Sequence, residues 1–275
     1  MKKLILLCGV LVLLLGSCVS AKHGSHPGVG RVRTYEFIHS EIPDSFDGFR
    51  IAFVSDLHYK SKFTEKRLTG LVRTLKTLAP DMLLLGGDYQ EGCQYVLPLV
   101  EQLALVNPLY GTYGVMGNND YERCYQEIVT MMEQHGMHVL EHRTDTIVKG
   151  EQQILLTGIR NPFDLKQNGR CPTLDLSADD FVILLTHTPD YVEDVDVSNT
   201  DLALAGHTHG GQVTLFGLAP QTASHYGKRF RTGLKKNSRG IPVIITNGVG
   251  TSRRNVRMMA PSEVVLITLR KKVVD

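Results

Sequence analysis

Five times along this chain a short apolar run with the character of a buried strand ends in a turn that carries metal-ligating side chains. Residues 49–56 (FRIAFVSD) lead through Asp56 into Leu57 and His58. Residues 81–85 (DMLLL) lead into Gly86-Gly87-Asp88, and 114–116 (GVM) into Gly117-Asn118-Asn119-Asp120. Residues 181–186 (FVILLT) stop at His187, and 201–205 (DLALA) enter Gly206-His207-Thr208-His209-Gly210-Gly211-Gln212. Between the first two runs Leu68, Leu71, Val72, Leu75 and Leu78 recur at helical spacing, and Pro80 stops that helix. Strand, helix, strand is a βαβ unit, whose handedness rule sets the two strands parallel and brings both turns to one sheet edge. Such an edge, outside the carboxyl ends of strands, is where α/β proteins place their chemistry.

The remaining pattern is coarser. Val96, Val100, Leu103 and Val106 predict a helix closed by Pro108. Tyr125, Ile128, Met132 and Met131 predict another, with the methionines as core filler. Short strands at 139–140, 146–148 and 154–157 suggest antiparallel pairing at the midpoint, before a polar loop over 161–177. Pro189 opens a short helix, and strands at 243–246 and 263–269 close the chain.

Composition narrows the class. Of 275 residues, 42% are hydrophobic and 21% charged, the balance of a globular protein. A net charge of +2 without a long basic run offers no nucleic-acid partner. The N-terminus is unusual. Met1-Lys2-Lys3 precedes an almost wholly apolar run over 4–15, shorter than the ~20 residues a spanning helix needs and suited to a secretory h-region. It ends in Leu15-Gly16-Ser17-Cys18, which resembles a bacterial lipobox with Cys18 as the lipid-modified residue. The expected layout is therefore a lipoprotein signal peptide over 1–17, a flexible tether over 18–32 and one domain over 33–271. That layout puts the domain outside the cytoplasm, tethered to a membrane through Cys18. Cys93, Cys124 and Cys171 form no CxxC pair and read as packing or loop residues rather than a disulfide framework.

The ordered set D-x-H, G-D, G-N-x-D, a lone histidine after a strand, and G-H-x-H resembles the calcineurin-like metallophosphoesterase family. The resemblance covers about residues 33–270, and the GHTHGGQ wording is similar to its secreted and membrane-associated bacterial branch. It implies a four-layer α/β/β/α sandwich of two mixed sheets with a dinuclear metal site at one end. It further implies one divalent ion held by Asp56, His58, Asp88 and His209, and another by Asp88, Asn118, His187 and His207. Mixed nitrogen and oxygen donors without thiolate suit Mn, Fe or Zn and argue against a structural zinc. The implied reaction is hydrolysis of a phosphodiester, phosphomonoester or phosphoanhydride by a bridging water.

Asn119 and Asp120 occupy the family's catalytic turn, where Asn119 stands in place of a histidine that helps protonate the leaving group. An amide donates a hydrogen bond but no proton at neutral pH. That substitution favours good leaving groups: anhydrides, aryl esters and nucleotides. Two alternatives stay open. One is a UDP-2,3-diacylglucosamine pyrophosphatase-like hydrolase of lipid A synthesis. The other is a lipoprotein that binds a phosphorylated small-molecule or lipid ligand without turnover. Arg253, Arg254 and Arg257 are candidate phosphate contacts or a solvated basic loop, and Arg160 and Asn161 are equally ambiguous. His135, His138, His142 and His225 match no motif position and read as structural or exposed.

Overall fold

A computed structural model of the chain describes residues 23–26, 28–216, 218–252 and 255–273. The proposed signal peptide and Cys18 lie outside them, as do Arg253 and Arg254. The chain opens with a hairpin of β1 (His23–His26) and β2 (Gly30–His39), paired antiparallel from His23 opposite Arg33 to His26 opposite Gly30. Within the span expected as a tether over 18–32, residues 23–26 and 30–32 lie in this edge hairpin.

The predicted βαβ units follow. They are β3 (Arg50–Val54), α1 (Glu65–Leu78), β4 (Met82–Leu85), α2 (Val96–Ala104) and β5 (Thr112–Gly114). Next come α3 (Asn118–Glu122), α4 (Tyr125–Gln134) and β6 (Met137–Val139). β3, β4, β5 and β6 are mutually parallel, so β6 extends the first sheet instead of joining the expected antiparallel set. The second half supplies β7 (Arg143–Lys149), β8 (Gln152–Gly158), α5 (Leu165–Asn168), β9 (Val182–Leu185), α6 (Tyr191–Asp194) and β10 (Leu202–Ala205). It continues with β11 (Gly233–Lys236), β12 (Pro242–Ile245) and β13 (Glu263–Lys271). The first sheet has the order β1-β2-β13-β3-β4-β5-β6 and the second β11-β12-β10-β9-β8-β7. Both are mixed, as expected: β13 runs parallel to β2 and antiparallel to β3, while β7 and β11 are antiparallel edges.

Side-chain alternation sorts the core into layers. Ile51, Phe53 and Leu84 face inward and meet Ile154, Leu156, Ile183, Leu185, Leu202 and Leu204 of the second sheet. Ala52, Val54, Leu83 and Leu85 face outward against α1, α2 and α4. α1 buries Leu68, Leu71, Val72 and Leu75, each removing apolar surface worth about 1.5–3 kcal/mol. It ends at Ala79, whose φ of 44° turns the chain out of the helix before Pro80. The outer face of the second sheet is covered by Tyr191 and Val192 of α6 and by Phe230 from the segment before β11. The molecule is thus the α/β/β/α sandwich, with a thin fourth layer. Among the described residues no helix is long and apolar enough to cross a membrane.

One covalent link escaped the sequence reading. Cys93, just past the Asp88 turn, is disulfide-bonded to Cys124, between α3 and α4, closing a loop with a sequence separation of 31. Cys171 is free and buried, as the packing reading expects.

Candidate metal centre

The parallel strands β3, β4 and β5 of one sheet and β9 and β10 of the other deliver their following turns to one end of the sandwich. The turns are tied in pairs by backbone hydrogen bonds. Asp56 N–H donates to Gly87 O (2.9 Å), His58 N–H to Asp88 O (3.0 Å) and Gly206 N–H to His187 O (2.9 Å). Asp56, His58, Asp88, His207 and His209 all have positive φ, between 42° and 64°. For residues with a Cβ this region is sparsely populated and costs on the order of 1–3 kcal/mol each, so the packing around them must hold it in place. Gly117 is required for a different reason: a Cβ there would land on Asp88 Oδ1 and lie 2.7 Å from His187 Cε1.

Six of the sequence candidates form two donor groups. Asp56, His58 and His209 place ligand atoms within 4.8 Å of one another, and so do Asp88, His187 and His207. Asp88 stands between them, with Oδ2 3.4 Å from His58 Nε2 and 3.5 Å from His187 Nε2. His209 Nε2 lies 3.5 Å from Asp56 Oδ1, and His207 Nδ1 lies 3.2 Å from His187 Nε2. His58 Nε2 and the Asn118 side-chain oxygen are buried without a hydrogen-bond partner. Native structures rarely leave such atoms unsatisfied, so two orphaned lone-pair donors beside two carboxylates fit a cation. His, Asp and Asn donors of this kind suit a divalent metal.

The electrostatics agree. Burial opposes ionisation of Asp88, yet His187, His58 and His207 outweigh it and hold the carboxyl below its ordinary range. Burial likewise disfavours the His187 imidazolium, but the Asp88 and Asp56 charges and the Gly86 carbonyl push it up to about 9. His209 is driven well below its ordinary value by burial, His58 and Arg257, which leaves a neutral imidazole ready to donate its lone pair.

Surrounding groups set the rings. His187 Nδ1 meets the Gly86 carbonyl at 2.6 Å, which fixes the proton there and turns Nε2 into the site. His58 Nδ1 lies 2.7 Å from Glu91 Oε1, a carboxylate–histidine pair of the sort that orients metal ligands. Glu91 was not among the sequence candidates, although a carboxylate three residues past Asp88 was a visible signal. Arg257, a candidate phosphate contact, turns inward instead. Its guanidinium is half-buried and donates to the carbonyls of His209 (3.1 Å), Asn247 (2.7 Å) and Gly250 (2.6 Å), stitching the His209 turn to the loop after β12.

Asp120, expected in catalysis, is fully buried. Its Oδ2 accepts from Asp88 N–H (2.7 Å) and Gly117 N–H (2.8 Å), and its Oδ1 from Tyr89 N–H (3.0 Å). Both oxygens are engaged by backbone N–H groups, so it ties the Asp88 turn to the Gly117 turn. Asn119 stays at the rim: its N–H holds Asp88 Oδ1 (3.0 Å) and its amide lies 3.2 Å from His58 Nδ1. Phe163, from the polar loop after β8, sets its ring 4.9 Å from that of His207. The Asn161 N–H donates to Tyr121 Oη (2.7 Å), anchoring that loop to α3. The off-motif histidines are structural where contacts define them: His138 stacks on Tyr113, and His135 bonds the Met131 carbonyl.

The profile of the calcineurin-like phosphoesterase family matches residues 49–211, which span all five turns. The chain belongs to the calcineurin-like phosphoesterase family. It is similar to an uncharacterized metallophosphoesterase, YkuE, of Bacillus subtilis (strain 168), 29% identical over 243 residues, covering 84% of this chain and 82% of that protein. An uncharacterized metallophosphoesterase of Aquifex aeolicus (strain VF5) is 27% identical over 249 residues, covering 88% and 92%. Among solved structures it is similar to a 5'-nucleotidase precursor from Thermus thermophilus, at 14% identity and a TM-score of 0.48 over 80% of this chain and 54% of that one; so distant a likeness says nothing of substrate. Family and site together define a metal-dependent phosphoesterase with a His/Asp metal site.

Proposed function

We propose that this chain hydrolyses phosphoric esters or anhydrides with good leaving groups, using two divalent ions drawn from Mn, Fe or Zn. Asp56, His58, Asp88 and His209 hold one; Asp88, Asn118, His187 and His207 hold the other. The observation that carries this reading is the position of Asp88 between two three-residue donor groups, with an orphaned donor beside it in each turn. Bound ions supply an activated water and neutralise charge on the phosphoryl group. The protein's own part is to keep those donors rigid through the positive-φ turns, Asp120 and Arg257, and to keep His209 neutral. Phe163 offers an aromatic wall beside His207 for the apolar part of a leaving group. Asn119 donates a hydrogen bond at the rim and supplies no proton.

Purified protein loaded with Mn²⁺ is expected to cleave an activated aryl phosphodiester, and Asp88→Ala to abolish cleavage. Equal rates for the two proteins would sink the reading. Asn119→His is expected to extend turnover to alkyl esters with unchanged metal content.

For location, the reading is a lipoprotein anchored through Cys18 on the extracytoplasmic side. The Cys93–Cys124 disulfide supports it, since disulfides persist in oxidising compartments. The same observation weighs against a pyrophosphatase whose substrate is made in the cytoplasm. Mass spectrometry of the membrane-extracted protein should find acyl groups on Cys18; an unmodified, unprocessed N-terminus rules the anchor out.

A further inference from the structure

The rim of the metal centre carries an apolar strip for which the hydrolytic chemistry has no use. Three residues after His209, the segment starting at Gln212 runs beside Met258: Met258 N–H donates to Gln212 O and Thr214 N–H to Met258 O, both at 2.9 Å. Beyond it Leu215 and Leu218 exchange two backbone hydrogen bonds of 2.8 Å, closing a tight turn with Phe216 at its tip. Phe216 is 86% exposed, and Leu215, Leu218, Val256, Met258 and Met259 on the same two segments are 43–61% exposed. Soluble monomers seldom gather six large apolar side chains on one rim; such patches mark interaction surfaces.

Two further observations identify the occupant. Thr214 and Met259 of this strip also line a cavity of ≈ 170 Å³ that is walled by Arg31, Arg33 and Arg231. Arg31 and Arg33 share a single carboxylate, the buried Glu263, at 2.5 and 3.5 Å, so this corner is cationic. Guanidinium groups there suit phosphate oxygens. The N-terminal chain also arrives at this corner, because His23 pairs with Arg33. Five peptide steps separate His23 from Cys18, a reach of at most about 18 Å for an extended chain.

We propose that this strip docks onto an anionic phospholipid bilayer, with the turn at Phe216 inserted among the acyl chains and the arginine cavity receiving a headgroup phosphate. An apolar insertion beside a basic site is a recognised pairing for interfacial binding, and a second attachment turns a marginal single anchor into a stable one. Docked this way, the bilayer surface lies alongside the metal centre. The proposal does not rest on hydrolysis and stands or falls separately from it.

The chain contains no tryptophan, so Phe216→Trp installs a single fluorescent reporter at the turn. The full chain carrying this change is mixed with vesicles of phosphatidylcholine, alone or with phosphatidylglycerol, with and without brominated acyl chains. On the anionic vesicles the emission should shift to the blue and lose most of its intensity to the bromolipid, and both effects should weaken in high salt. Leu109→Trp, at an 84% exposed position before β5 on the far end of the sheet, should show neither. A reporter at 216 that stays water-exposed on anionic vesicles overturns the proposal, as does equal quenching at position 109. An equal response on neutral vesicles overturns the role of the arginine cavity. A concentration-dependent blue shift without vesicles assigns the strip to a second copy of the chain and also overturns it.

Discussion

Removing the Cys93–Cys124 disulfide is the perturbation whose size follows most directly from the structure. The bond closes a loop with a sequence separation of 31 that contains α2, β5 and the Asn118 turn. In the chain-entropy account, a cross-link over about 30 residues removes roughly 12 cal/mol/K from the unfolded state, or about 3.7 kcal/mol at 25 °C. For a domain of this size each kcal/mol moves the midpoint by about 2–4 °C, so Cys93→Ser/Cys124→Ser should melt roughly 7–15 °C lower. The native state should change little, because Cys93 is exposed and neither sulfur touches a candidate ligand. Thermal unfolding followed by circular dichroism, with and without a reductant, gives the comparison. Reduced wild type and the double variant should melt together, well below the oxidised protein, with metal content unaltered at 25 °C. If the two variants melt within a degree or two of the oxidised protein, or if unreduced protein yields three reactive thiols among residues 93–171 on denaturation, the reasoning fails.

Three other predictions follow from the site. Glu91→Gln removes the charged partner of His58 Nδ1 and should weaken metal binding by about 10–100-fold while leaving the fold intact, as measured by chelator competition; unchanged affinity would show that Glu91 orients nothing. Gly117→Ala drives a Cβ onto Asp88 Oδ1, so the protein should fold but purify without metal, and full loading by elemental analysis would contradict the geometry. The raised folded pKa of His187, about 9 in the metal-free protein, means that a proton stabilises the apo cluster below that pH and must leave when metal binds. Metal affinity should therefore fall as the pH drops from about 9 towards the ordinary histidine value of about 6.5, by up to about tenfold per unit for one displaced proton; a flat profile from calorimetric titration would falsify this.

The outcome for individual residues shows where sequence reasoning reaches and where it stops. Asp56, His58, Asp88, His187, His207 and His209 were legible because each directly follows an apolar run, and the end of a strand is a local property of sequence. Parallel pairing then brings those ends together without further information. Asp120 sits in a visible motif and Arg257 in a visible basic loop, yet both side chains are taken up by backbone groups. A charged side chain beside a ligand can face either side of its turn, and only the backbone hydrogen bonds it meets decide which. For Asp120 these are the N–H groups of Asp88, Tyr89 and Gly117, and for Arg257 the carbonyls of His209, Asn247 and Gly250.

Taken alone, then, the amino-acid order determined the layered α/β architecture and the ligand-bearing turns, because hydrophobic period and turn chemistry act over a few residues. Tertiary structure alone decided the partner of Cys93, the pairing of Glu91 with His58, the inward turn of Asp120 and Arg257, and the gathering of Thr214, Met259 and Arg33 around one cavity. The first of these joins positions 31 apart, and Glu91 to His58, Asp120 to Asp88 and Arg257 to His209 bridge 33, 32 and 48. All arise from how the sheets and loops pack rather than from any spacing along the sequence.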